Sequence, residues 1–406
     1  MNSYYLGKNC PAVKNSIVSA CALFLLTTVC LLSVCNCFSQ SKSDSVQFRK
    51  IVLTKDFVSE GVAVGDVNGD GKMDVMAGSF WFESPKWTRH ALTKPKIYFP
   101  DTAFSNSFLD FSMDVNQDGW IDLIRVGFPG QELVWYENPG HKPGYWKEHF
   151  IYRHIGNESP ALVDINGDGR PDILCNDPVK KEVIWFKSPV KKGDTLWKKY
   201  TISHNSDLAT NMYTHGLGFG FMNMDKRKDV IITKGWWEAP ENREQADWVF
   251  HPADLGEDAA QIYTIDIDGD GDMDLISSSA HNYGIWWHEQ VSDEQGNIKF
   301  THHEISKAFS QSHGLVMTDI DGDGFPDLVT GKRYFAHNGK DPGAFEPSVL
   351  YWFELKPGRP PVWIPHLIDN NSGVGLLPVV ADMNQDGLPD IITANKKGVY
   401  IFEQIK

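Results

Sequence analysis

The chain has 406 residues, 41% of them hydrophobic and 22% charged, with 53 acidic against 38 basic groups and a net charge of −15. That apolar content excludes an intrinsically disordered chain. The charge excludes a nucleic-acid binder or a protein docked on an anionic membrane, since both need a basic face.

Residues 1–39 carry Lys8 and Lys14, then an apolar run from Ile17 to Val34. A charged segment followed by such a run predicts a secretory signal peptide, cleaved near Ser39. Lower-ranked readings attach a lipid to Cys35 or retain the run as a membrane anchor. All three place the protein outside the cytoplasm: secreted, periplasmic or on the outer cell surface. Five of the six cysteines lie in this leader, which leaves Cys175 alone in the mature chain. An exported chain with one cysteine has no internal disulfide, so something else must hold it together. Cys175 itself, in "PDILCND", reads as a small buried hydrophobe.

Residues 40–406 form one repeat array. Acidic nine-residue segments begin at Asp66, Asp114, Asp164, Asp266, Asp319 and Asp382, and a degenerate copy, "FMNMDKRKD", begins at Phe221. After each comes an aromatic signature: Trp81-Phe82-Glu83, Trp135-Tyr136-Glu137, Trp185-Phe186-Lys187, Trp236-Trp237-Glu238, Trp286-Trp287-His288, Trp352-Phe353-Glu354 and Ile401-Phe402-Glu403. A third signature, of the type "WKEHFIY", carries His90, His149, His251, His303 and His366. These histidines and paired aromatics are expected to pack the repeat units. Each unit thus holds four short strands, A to D, the size of a propeller blade. The seventh unit lacks strand D, and "FRKIVLT" from Phe48 supplies one ahead of the first unit. The prediction is an all-β, seven-bladed propeller whose ring is closed by that N-terminal strand, leaving no open edge.

The loop pattern D-x-[DN]-x-D-G-x-x-D places oxygen ligands at positions 1, 3, 5 and 9 and glycine at the turn, which suits Ca²⁺. The expected side-chain ligands in the first three copies are Asp66, Asn68, Asp70 and Asp74, then Asp114, Asn116, Asp118 and Asp122, then Asp164, Asn166, Asp168 and Asp172. In the last three they are Asp266, Asp268, Asp270 and Asp274, then Asp319, Asp321, Asp323 and Asp327, then Asp382, Asn384, Asp386 and Asp390. About six structural calcium ions would replace the missing disulfides. The degenerate copy is expected to hold none, with Lys226 or Arg227 standing in for the ion.

On these loops the chain from about residue 46 to 406 resembles the FG-GAP/VCBS repeat family, the calcium-loop propellers that include the integrin α head. The W-W-E-x-P and W-x-x-H strands are also similar to bacterial secreted propellers akin to that of fungal aldos-2-ulose dehydratase, an architecture some polysaccharide lyases share. The resemblance implies the fold. Its members adhere, bind sugars or catalyse, so it implies no single activity.

The loops join strands A and B and so share one face. The chain leading into strand A, and the B–C connections, must lie on the other. Six residues before each loop stand Glu60, Phe108, Glu158, His215, Ala260 and His313. The long blade 6 insertion carries Lys332, Arg333 and His337, and blade 5 contributes His281. Long loops on a rigid scaffold are where function resides. His215, His281 and His313 are candidate Zn²⁺ ligands. Alternatively His215, His313 or Tyr213 removes a proton next to a carbonyl or uronate while Arg333 or Lys332 neutralises the charge. His281, Lys332 and His337 are expected to bind ligand. The first functional reading is therefore a monomeric propeller binding carbohydrate or a cell-surface partner, and the second a sugar lyase or dehydratase.

Overall fold

The computed structural model describes residues 46–257 and 259–405. The predicted signal peptide lies outside the described residues. Seven four-stranded antiparallel sheets follow one another around a ring. Blade 1 has strands Ala63–Gly65, Asp74–Ala77, Phe80–Glu83 and Thr88–Ala91, and the next five blades repeat that order. In blade 7, strands Val379–Ala381, Asp390–Asn395 and Gly398–Ile405 are completed by Gln47–Thr54 from the start of the array. Arg49 stands opposite Glu403 in that pairing, and its guanidinium meets the carboxylate at 2.5 Å. The seven-bladed closure expected from sequence is therefore present. No helix among the described residues is long and apolar enough to cross a membrane.

Burial follows position in the blade. Strand B of blade 2, Asp122–Val126, is buried at every residue, while strand D of blade 1, Thr88–Ala91, is mostly exposed. Strand B is covered on both faces because neighbouring blades press against it, so even Arg125 is buried there, its Nη1 donating to Tyr136 Oη at 3.0 Å. The core accordingly divides into seven clusters, one per seam. The seam of blades 1 and 2 joins Met76 to Leu123 and Tyr136, and that of blades 2 and 3 joins Ile124 and Trp135 to Ile173 and Phe186. Trp185 and Trp237 fill the next, Trp236 faces Leu275, and Trp287 faces Phe353. Trp352 faces Phe402, and Val75 with Phe82 closes the ring on Ile392 and Ile401. Cys175 is a free thiol inside such a seam.

Strand-D histidines lock five of the blades. His149 stacks on Trp135 at 4.2 Å between ring centres and bonds Glu137 at 2.7 Å. His90, His251, His303 and His366 repeat this on Trp81, Trp236, Trp287 and Trp352. Tyr200 takes the histidine's place in blade 3, over Trp185. This register corrects the blade 5 signature. Trp287, not Trp286, stacks on the histidine, and Glu289, not the residue aligned with it at His288, supplies the carboxylate. His288 instead pairs across from Leu275, the place Trp237 holds opposite Val230 in blade 4.

Candidate functional site: a ring of axial side chains and the pocket above it

Strand A is innermost, so the residue six before each acidic loop points at the propeller axis. Glu60, Phe108, Glu158, His215, Ala260, His313 and Leu376 all occupy that register, and all are at most 3% exposed. Contacts between blades that are not neighbours show the convergence. Ser159 Oγ donates to Ala260 O at 3.0 Å, and Gln261 Nε2 to Leu376 O at 2.9 Å. The chain tolerates this crowding only with glycine beside it: a Cβ on Gly375 would stand 2.4 Å from Glu60 O.

Three of these side chains meet at one point. His215 Nε2 and His313 Nε2 are 3.3 Å apart, and Glu158 Oε2 is 3.5 Å from the first and 3.2 Å from the second. Ligands of a tetrahedral ion with bonds of about 2.0–2.1 Å are about 3.3–3.4 Å from one another. The triangle therefore has the size and the donor chemistry of a transition-metal site. Burial raises the Glu158 carboxyl pKa, but the two histidines outweigh this and hold it well below the usual range. Burial, then the Arg333 charge, pushes His313 down to about 3, so its ring is neutral and able to ligate. Arg333 reaches over from blade 6, donating to Glu60 Oε1 at 2.7 Å and lying 3.5 Å from Glu158 Oε2.

Above this group opens a cavity of about 470 Å³. Phe104, Phe108, Phe128 and Tyr213 form an aromatic wall, and Glu158, His215, His281, Arg333, His337 and Lys340 supply the polar groups. Tyr213 is 54% exposed, with its ring 5.9 Å from Phe128. His281 and His337 form a second group with Asp341 at the pocket's edge.

The acidic loops lie at the other end of strand A. Position 1 folds each loop back: Asp66 accepts from the amides of Gly69 at 2.8 Å and Gly71 at 2.9 Å. Position 9 is buried and anchored by two amides, as in Asp74, bonded by Val67 N at 3.0 Å and Ser84 N at 2.8 Å. The degenerate copy keeps that anchor, with Met222 N and Ala239 N on Asp229. In blades 5 and 6, Asp266, Asp268 and Asp270, and Asp319, Asp321 and Asp327, bring carboxylate oxygens within 4.8 Å of one another. An all-oxygen set that gathers like charges fits a hard cation such as Ca²⁺. In the degenerate copy Arg227, not Lys226, meets Asp225, and its Nε also donates to Ala239 O at 2.7 Å.

Of the residues expected at the site, His215, His281, His337, Tyr213 and Arg333 line the pocket, and His313 lies beneath it. Two expectations are corrected. His281 does not complete the group with His215 and His313. Its turn faces the blade 6 insertion, so its Nδ1 meets His337, and Glu158 completes the group instead. Lys332 does not face the ligand space. Its side chain is buried with Nζ on Ser310 Oγ at 3.0 Å, while its neighbour Arg333, on the opposite side of the strand end, reaches the axis. Glu60 and Glu158 stand in the same register as His215 and His313, which is the signal that marks them. The aromatic wall left no such signal, because Phe104 and Phe128 belong to irregular connections.

Residues 114–175 and 266–330 match the FG-GAP-like repeat model, and no curated protein matches the sequence. Among solved structures, an Agrocybe aegerita lectin that recognises non-reducing terminal N-acetylglucosamine is 16% identical, with a TM-score of 0.48 over 80% of this chain and 81% of that one. A V. cholerae biofilm matrix protein is 11% identical, with a TM-score of 0.44 over 89% and 91%. An exotype rhamnogalacturonan lyase is 10% identical, with a TM-score of 0.47 over 88% and 76%.

Proposed function

We propose that this seven-bladed propeller with FG-GAP-like repeats is an exported sugar lyase or dehydratase, working at a divalent metal held by Glu158, His215 and His313. The observation that carries the reading is the triangle of two imidazole nitrogens and one carboxylate oxygen, with sides of 3.2–3.5 Å, at the base of the pocket. Three protein ligands leave a coordination position open to substrate, where a bound metal supplies Lewis-acid polarisation of an oxygen. The cavity, about 470 Å³, falls in the range that encloses a small ligand such as one or two sugar rings. Phe104, Phe128 and Tyr213 offer apolar faces to the C–H side of a sugar, and Arg333 and Lys340 bring positive charge to its carboxylate or carbonyl. Tyr213 stands at the wall as the proton-transfer group. In the elimination, the proton on the carbon next to the carbonyl or carboxylate passes to the Tyr213 oxygen, the C–O bond one carbon further breaks with its electron pair going to oxygen, that oxygen takes up a proton and departs as an alcohol or water, and a conjugated C=C remains. About six Ca²⁺ ions in the acidic loops hold the blades rigid behind this site.

The test is incubation of the purified protein with acidic polysaccharides and keto-sugars, in buffer holding Zn²⁺ and Ca²⁺, while absorbance from a conjugated double bond is followed. We expect a signal on at least one member that His313→Ala abolishes. Silence across the panel retires the enzyme. The aromatic wall favours one alternative, a carbohydrate-binding propeller without turnover, and sugar binding that survives His313→Ala identifies it.

A further inference from the structure

We propose that His281, His337 and Asp341 form a second transition-metal site, separate from the axial one, that staples the blade 6 insertion to blade 5. His281 lies in the B–C turn of blade 5, between strands Asp274–Ser278 and Tyr283–Ser292. His337 and Asp341 lie in the insertion between strands Asp327–Gly331 and Leu350–Lys356. No ladder hydrogen bonds join these two connections, so side chains must hold them together.

The geometry suits three ligands of one ion. His281 Nδ1 and His337 Nδ1 face each other at 3.1 Å, and Asp341 Oδ2 is 2.8 Å from the second and 3.7 Å from the first. One proton on His337 Nδ1 can satisfy Asp341 or His281, not both, and a proton on each nitrogen would set two N–H groups head to head. A cation between the three atoms satisfies all of them. Two imidazoles and a carboxylate select zinc or a neighbouring transition metal over calcium, whose loops are built of oxygen alone.

Two further observations point the same way. Phe335, His337 and Asn338 take φ of 51°, 46° and 55°, so three non-glycine residues within one turn are left-handed. Such a backbone persists only where its surroundings impose it, and a bond from His337 to a metal is such a constraint. The side chains are 32%, 30% and 14% exposed, which leaves the site within reach of an ion from solvent. His281 and His337 both line the pocket, so the metal would set the position of its mouth. The rings of His281 and His215 are 4.5 Å apart, which puts the two metal groups side by side.

The experiment is zinc uptake by the full chain in calcium-containing buffer, read by elemental analysis, with Co²⁺ absorption as a second readout. Wild type is expected to take two equivalents. His337→Ala is expected to remove one equivalent and its share of the Co²⁺ bands, and Asp341→Asn to weaken uptake of that same equivalent. His313→Ala is expected to remove the other. Wild-type uptake in both His337→Ala and Asp341→Asn overturns the second site and leaves the axial one standing. Full uptake in His313→Ala, with loss in His337→Ala, overturns the axial reading and leaves the second site standing.

Discussion

His215 and His313 are 98 positions apart in the chain, and their Nε2 atoms are 3.3 Å apart at the propeller axis. They arrive from blades 4 and 6, and Glu158 joins them from blade 3. Loss of one ligand from such a site weakens metal binding and chemistry together. His313→Ala is expected to lower turnover by at least about 100-fold, the upper scale for losing a mere supporting contact. Because His313 is fully buried, circular dichroism must first show that the variant is folded. Activity that persists with no bound zinc would remove the metal from the reaction.

Arg333 ties Glu60 to Glu158 under the pocket, and all three side chains are at most 4% exposed. Removing the cation strands the buried Glu60 carboxylate, while Glu158 keeps His215 and His313. Arg333→Ala is therefore expected to cost about 3–5 kcal/mol in denaturant unfolding. Arg333→Lys should recover only part, since one ammonium cannot reach both carboxylates as the guanidinium fork does. A loss within about 0.5 kcal/mol of wild type contradicts the ion-pair account.

Calcium removal is expected to lower the melting temperature, and by more at pH 8 than at pH 5. Without an ion, burial raises the position-9 carboxyls: Asp74, Asp274 and Asp390 to about 6, Asp172 and Asp327 to about 7, and Asp122 to about 8. In the unfolded chain they return to about 3.9. Between those values the folded protein holds protons the unfolded chain has lost, so metal-free stability falls as pH rises from about 4 to 8. Calcium replaces the protons and offsets the fall. Each ion contributes about 2.7 kcal/mol at a hundredfold excess over its dissociation constant. Thermal melts in calcium and in chelator at the two pH values check this, and a chelator-insensitive melt refutes it.

Blade 4 offers the converse test. Phe221 replaces the first ligand, Lys226 sits at φ 65° where the other copies turn on glycine, and Arg227 meets Asp225. The combined change Phe221→Asp, Lys226→Gly and Arg227→Asn restores the ligand set and removes the internal cation. It is expected to raise calcium stoichiometry by one ion, measured by equilibrium dialysis. Unchanged stoichiometry would mean that this loop's backbone, and not its side chains, excludes calcium.

Trp135 is fully buried in the seam of blades 2 and 3. Trp135→Ala is expected to cost about 3–5 kcal/mol, the usual range for emptying a large aromatic position. Destabilisation of less than 1 kcal/mol in urea unfolding would show that the seam closes over the gap.

Much of the fold was legible because a repeat array states each rule several times over. The acidic loops, the Trp signature and the displaced strand from Phe48 fixed blade count and closure, and the spacing of six before each loop marked the axis. Even so, blade 5 was read one residue out of register. "WWHE" holds two tryptophans in a row, and only strand pairing decides that Trp287 meets His303.

What the sequence determined by itself is local: ligand spacing, turn glycines and the strand period all act over a few residues. What only the tertiary structure decided is which side chains meet. Glu158 rather than His281 joins His215 and His313, Asp341 joins His281 and His337, and Lys332 turns away while Arg333 turns in. The physical reason is that each of these meetings depends on how the blades stand around one axis. That arrangement is set by the summed packing of seven seams, and no window of a few residues contains it.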